Sequence, residues 1–136
     1  MVDSLYIYGS LEISRFFMKQ YQFSYKLWGH RNHPKVFFLH GFLGSWADFK
    51  TIIEILDDRF CCLAVDLPGH GQTKILETSP NDGINETAES LIALLKYLDF
   101  TPCHLIGYSM GGRLALYLAC HFPKQFKSFI LTNPRS

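Results

Sequence analysis

Ser109 sits in Gly107-Tyr108-Ser109-Met110-Gly111-Gly112, a hydroxyl framed by glycines on both sides. The pattern Gly-x-Ser-x-Gly can present a serine at the tip of a sharp turn between a strand and a helix. Glycines let the two backbones approach closely and tolerate strained dihedrals. The bland alternative is a glycine-rich turn with a serine cap, a position serine suits in any case. An apolar run before the turn and a helical pattern after it favour the nucleophile. The helix N-terminus would then stabilise negative charge on the serine oxygen.

A second candidate stretch is His40-Gly41-Phe42-Leu43-Gly44. Attack on a carbonyl needs backbone donors for the developing oxyanion. In a strand–turn–helix arrangement one donor is the residue after the nucleophile, here Met110. The other comes from the loop after the preceding central strand, here Phe42. The alternative is an ordinary strand-to-helix loop. His40 reads as a hydrogen-bonding structural histidine rather than a base. Asp66-Leu67-Pro68-Gly69-His70-Gly71 has turn chemistry, with Asp66 and His70 as loop-ordering residues. Arg113 lies one helical turn after Ser109 and can share its face. It reads as a solvent-exposed helix arginine or as a carboxylate clamp, since guanidinium donors match a carboxylate bidentately. A lone arginine beside the nucleophile on an apolar helix favours the clamp.

The elements that would position these residues follow from periodicity. Residues 36–39, 60–65 and 103–108 are apolar runs, as expected of strands covered on both faces, and residues 126–131 read as a fourth strand. Residues 22–28 alternate and predict a half-exposed strand. Leu5–Tyr8 could be a short strand, and Leu11–Met18 a short helix or irregular. Ser45 with Asp48 resembles a capping box, followed by a helical face at Phe49, Ile52, Ile53 and Leu56. Ala88, Leu91, Ile92, Leu95 and Leu98 mark a second helix, and residues 72–83 a loop. The helix from Met110 to Phe122 is apolar nearly all round and is expected to be buried. Alternating strands and helices imply an α/β fold, with a mostly parallel sheet and helices on both faces. The three glycine-rich stretches then fall at the carboxyl ends of strands, where such sheets carry their sites.

The chain has 136 residues, 48% of them hydrophobic, enough for a sizeable core in one domain or part of a larger one. With 13 basic and 12 acidic residues and no basic block, nothing suggests nucleic-acid binding. No apolar stretch approaches the ~20 residues of a membrane span. Met1-Val2-Asp3-Ser4 lacks the start of a secretory signal. Cys61, Cys62, Cys103 and Cys120 do not have the spacing of a zinc site. Buried free thiols in a cytoplasmic protein, with no metal and no cofactor, are expected.

Together, His40-Gly41-Phe42-Leu43-Gly44, Asp66-Leu67-Pro68-Gly69-His70-Gly71 and Gly107-Tyr108-Ser109-Met110-Gly111-Gly112 resemble the α/β-hydrolase superfamily over roughly residues 22–133. With Arg113 they look like the 2-succinyl-6-hydroxy-2,4-cyclohexadiene-1-carboxylate synthases of menaquinone and phylloquinone synthesis. The resemblance implies a small carboxylated substrate from which pyruvate is eliminated. It also implies Ser109 as the catalytic base, Phe42 and Met110 as backbone oxyanion donors, and Tyr108 and Arg113 as substrate contacts. Esterases, thioesterases and carbon–carbon bond hydrolases share most of these motifs. Serine at 109, where dehalogenases and epoxide hydrolases carry aspartate, argues against those branches. In the superfamily an acid and a histidine follow the serine in chain order. Thr132-Asn133 leaves the early acid position without a carboxylate, and no histidine follows His121. Residues 1–136 are therefore expected to form a partial core, truncated after the strand that follows the nucleophile helix. Lid, later strands and the remaining triad members would be absent from it. A catalytically silent domain is the corresponding alternative.

Overall fold

A computed structural model describes residues 13–77 and 83–133. Four consecutive strands of its sheet are parallel, in the order β4 (Cys61–Val65), β3 (Lys35–Leu39), β6 (Cys103–Tyr108) and β7 (Phe126–Thr132). On the β4 side, β2 (Tyr21–Trp28) runs antiparallel and carries β1 (Ser14–Phe17) and the two-residue β5 (Lys74–Ile75). Helices α1 (Lys50–Leu56), α2 (Ile84–Tyr97) and α3 (Met110–His121) fill the crossovers.

The apolar runs are continuous because each strand supplies two cores. Phe37 and Leu39 of β3, with Cys61, Leu63 and Val65 of β4, pack beneath α2 and α3. Val36, Phe38, Cys62 and Ala64 point the other way, to Phe49 and Ile53 at α1. Successive side chains of a strand point to opposite faces, so helices on both sides demand apolar residues at every position. Burial of each large side chain such as Phe37 or Leu39 stabilises the fold by about 2–3 kcal/mol.

Ser45 begins the first helical segment as expected. Its side chain accepts from the Ala47 N–H, and Asp48 reaches back to the Ser45 N–H, over a 3-10 turn at Trp46–Phe49 that leads into α1. Glu86 in the first turn of α2 and Lys96 in its last suit the helix dipole.

Four expectations need correction. Residues 14–17 form a strand rather than a helix. The eight residues of Leu11–Met18 are too few to sustain a helix alone, whereas β2 offers residues 14–17 an antiparallel ladder. The rest of the ambiguous N-terminal reading, Leu5–Tyr8 included, lies outside the described residues. Strand β2 is not half-exposed: Ser24 and Lys26 are as buried as Phe23 and Tyr25, because the indoles of Trp28 and Trp46 cover the second face around Lys26. Within the loop at 72–83, Lys74–Ile75 pairs with Tyr21–Gln22. Finally, α3 buries only one side: Gly111, Gly112, Leu114, Ala115 and Leu118 face inward, while Arg113, Leu116 and Cys120 form an exposed stripe. Strand β7 is exposed on both faces along almost its whole length.

Candidate active site

Ser109 occupies the turn between β6 and α3 with φ 55° and ψ −113°. A non-glycine residue there stores about 1–3 kcal/mol of backbone strain. The fold holds it there by close packing. Its N–H donates to Thr132 O at 2.8 Å, and its carbonyl accepts from the Gly112 and Arg113 N–H groups at 2.9 and 3.2 Å. Gly111 is obligatory, since a Cβ there would strike the backbone oxygens of Leu39 and His40. The start of α3 thus rests directly on the end of β3.

The loop after β3 passes against the same turn. A Cβ on Gly41 would lie 3.3 Å from Ser109 Cβ and 3.2 Å from the Tyr108 carbonyl oxygen. Phe42 follows, with its side chain exposed. Neither the Phe42 N–H nor the Met110 N–H donates a hydrogen bond among the described residues, and Met110 opens α3, where the amides have no partner within the helix. Tyr108 is 40% exposed, with its ring beside Gly41.

Two side chains beneath fix this loop. His40 is fully buried. Its Nε2 accepts from the Leu67 N–H at 2.9 Å, so Nδ1 carries the proton and donates to Gly41 O at 2.7 Å. With both ring nitrogens engaged in the backbone, His40 is not available as a base. Burial holds its imidazole below the ordinary pKa, against the raising effect of the Gly41 bond. Asp66 is equally buried: its carboxylate accepts from the Trp46 N–H at 2.8 Å and the Gln72 N–H at 2.9 Å. Thr73 Oγ1 donates to Asp66 O and accepts from the Ser24 N–H. Asp66 therefore ties together the loops that follow β3 and β4.

A pocket of about 270 Å³ opens beside the turn. Met110, Arg113 and Leu114 of α3 form one wall. Leu67, Pro68 and His70 form the second, and Ile84 and Thr87 of α2 the third. The walls are apolar apart from Thr87, His70 and Arg113, and Arg113 makes no ion pair or hydrogen bond through its side chain among the described residues. Of the candidate catalytic and substrate-binding residues named from the sequence, Met110 and Arg113 meet in this pocket. Ser109, Tyr108 and Phe42 lie at the adjoining turn and do not line it. His70 joins the two, its ring 5.9 Å edge-on from Phe42 and 5.0 Å from His40. His70 Nδ1 is held by the Pro68 carbonyl at 3.1 Å. Its place in the pocket wall was not legible from the sequence; its position between Gly69 and Gly71 of a glycine turn signalled only loop order. No histidine or carboxylate of the described residues hydrogen-bonds the Ser109 hydroxyl.

Among the described residues no helix is long and apolar enough to cross a membrane.

Comparison with known proteins agrees with this arrangement. The sequence profile of the α/β hydrolase fold matches residues 34–136. The chain is 38% identical over 88 residues to a 2-succinyl-6-hydroxy-2,4-cyclohexadiene-1-carboxylate synthase of Yersinia pestis (strain Pestoides F), a match covering 65% of this chain and 31% of that protein. It is 32% identical over 102 residues to the protein PHYLLO, chloroplastic, of Arabidopsis thaliana, covering 71% of this chain and 6% of that one. The match thus spans about a third or less of the length of these curated relatives. Among solved structures, the thioesterase domain from the curacin biosynthetic pathway superposes with a TM-score of 0.81 at 27% identity, over 93% of this chain and 47% of that domain.

Proposed function

Because the chain belongs to the α/β hydrolase fold family, we propose that it carries the nucleophile half of a pyruvate-eliminating synthase acting on a carboxylated cyclohexene precursor of quinones. The observation that carries this reading is Arg113. It places a cation, without a side-chain partner among the described residues, in a pocket wall one helical turn from Ser109, in a chain 38% identical over 88 residues to the Yersinia synthase. In this reading Ser109, as its alkoxide, takes a proton from a ring carbon. The C–H electron pair becomes a new ring double bond, and the carbon–oxygen bond to the departing group breaks with its electron pair on oxygen, so that pyruvate leaves as its enolate and takes up one proton, balancing the one removed by Ser109. The Phe42 and Met110 amides and the N-terminus of α3 stabilise the negative charge that develops. Arg113 binds a substrate carboxylate through its paired donors, and Tyr108 contacts the substrate from beside Gly41. A serine hydroxyl needs a base to work in this way. The acid and histidine expected of the family do not contact Ser109 among the described residues, so the reaction requires groups from outside them.

The apolar lining from Leu67, Pro68, Ile84, Met110 and Leu114 supports a second reading, an esterase or thioesterase accepting an apolar acyl group. One experiment separates the two. The chain is joined after β7 to the remaining C-terminal part of the Yersinia synthase, and the folded chimera is assayed for pyruvate release and for ester and thioester hydrolysis. Pyruvate release abolished by Ser109→Ala supports the synthase. Serine-dependent ester or thioester hydrolysis without pyruvate release overturns it.

A further inference from the structure

Lys26 is a lysine in the middle of a sheet. It lies opposite Ala64 on β4 and is only 5% exposed. Lysine is almost never this buried unless its ammonium is partnered. Among the described residues no carboxylate pairs with it, and the charge that reaches it from α1, Lys50, has the same sign. Its partners are aromatic. The ammonium lies 5.3 Å from the ring centroid of Trp28 and 5.3 Å from that of Trp46, and the two indoles are 5.3 Å apart with their planes at 50°. Both distances fall within the range of a cation–π contact, for which tryptophan is the strongest partner. Burial, and Lys50 after it, lower the Lys26 pKa, whereas a cation over an indole face is favoured.

Trp46 also has a position that matters. It closes the loop that begins at Gly41 and carries Phe42. That loop has little packing at its tip: Phe42 and Leu43 are 71% and 83% exposed, Phe42 meets the His70 ring edge-on at 5.9 Å, and Leu43 has φ 65°. Its course is set by its two ends. The first is pinned at Gly41 O by His40 Nδ1 and by the Gly44 N–H. The second is Trp46, its backbone bound to Asp66 and its ring to Lys26 and Trp28.

We propose that Lys26, Trp28 and Trp46 form a cation–π clamp that holds the 41–46 loop against Ser109, making Lys26 a positioning residue for the Phe42 N–H. The clamp's importance for chemistry rests on the reading of Phe42 as an oxyanion donor. The clamp itself can be measured without any turnover, so its failure and the failure of that reading are distinguishable.

The test is amide hydrogen exchange of the whole chain, comparing the parent with Lys26→Met and Lys26→Arg. Methionine keeps the stem's length and removes the charge; arginine keeps a cation that stacks on indole. The clamp predicts exchange at residues 42–48 at least threefold faster in Lys26→Met, unchanged exchange in β6, and recovery to within twofold of the parent in Lys26→Arg. Trp28 and Trp46 are the protein's two tryptophans, so intrinsic tryptophan emission should shift in Lys26→Met and return in Lys26→Arg. Trp46→Phe retains an aromatic face of weaker cation affinity and should give a smaller rise confined to the same residues, which keeps the test usable if Lys26→Met does not fold. Unchanged exchange at 42–48, an equal rise in the methionine and arginine variants, or a uniform rise that includes β6 would overturn the proposal.

Discussion

The Leu67 amide donates to Nε2 of His40, 2.9 Å away and wholly out of solvent. An imidazolium has no lone pair to accept that bond, so protonating His40 must break it. Burial lowers the folded-state pKa of His40 below 6.5. Between that lowered value and 6.5 the unfolded chain binds more protons than the folded one, so this contribution to stability is lost as pH falls through the window. Urea unfolding midpoints should therefore drop on acidification below pH 6.5. His40→Gln should be less stable than the parent at pH 7.5, by about 1–3 kcal/mol for the disturbed buried bonds, and should show a shallower acid slope. Equal slopes in the two proteins would show that His40 is not the group responsible.

The four cysteines should divide three to one. Cys61, Cys62 and Cys103 are buried, with desolvation pushing each thiol up to about 12, while Cys120 is exposed on α3. The thiolate is the reactive form. A disulfide reagent at pH 8 should titrate one thiol rapidly in the native protein and four in denaturant. Rapid reaction of two or more native thiols would contradict the burial of β4 and β6.

Much of this arrangement was legible in the sequence, for a definite reason. Strands β3 and β4 announce themselves because both faces are covered, so Val36–Leu39 and Cys61–Val65 are apolar at every position. The turn at Ser109 is local, written in three glycines that its backbone contacts require. Strand β2 was misread because Ser24 and Lys26 imply solvent. What covers Lys26 is Trp46, twenty residues further on, and periodicity within β2 carries no information about it. The pocket was hidden for the same reason: its walls come from α3, the turn after β4 and α2, which meet only in three dimensions.

Strand β7 ends the sheet among the described residues, and Phe129, Ile130 and Leu131 on it are all at least 40% exposed. An apolar edge strand of this kind is a template for pairing with another chain. The 136-residue chain should self-associate at micromolar concentrations in gel filtration, and Ile130→Lys should shift it toward monomer without loss of helical or sheet signal. A parent that runs as a monomer at high concentration would dispose of this expectation.

Ser109→Gly should make the protein more stable. Glycine relieves the strain at φ 55° but loses more chain entropy on folding, about 0.5–1 kcal/mol, against a relief of about 1–3 kcal/mol. A net gain of about 1 kcal/mol in chemical denaturation is expected. Ser109→Ala keeps the Cβ and should show no such gain. Destabilisation by the glycine variant would mean that the turn is held by side-chain bonds rather than endured as strain.

That same strain sets durability against reactivity at a single position. At position 109 thermal stability and nucleophilic chemistry favour different residues, and a lineage released from catalysis would have no reason to resist the mutation to glycine. A serine held at that conformation is what selection for reactivity over durability would keep, and counting serine against glycine at this position among relatives would test whether such selection acts, without a single turnover being measured.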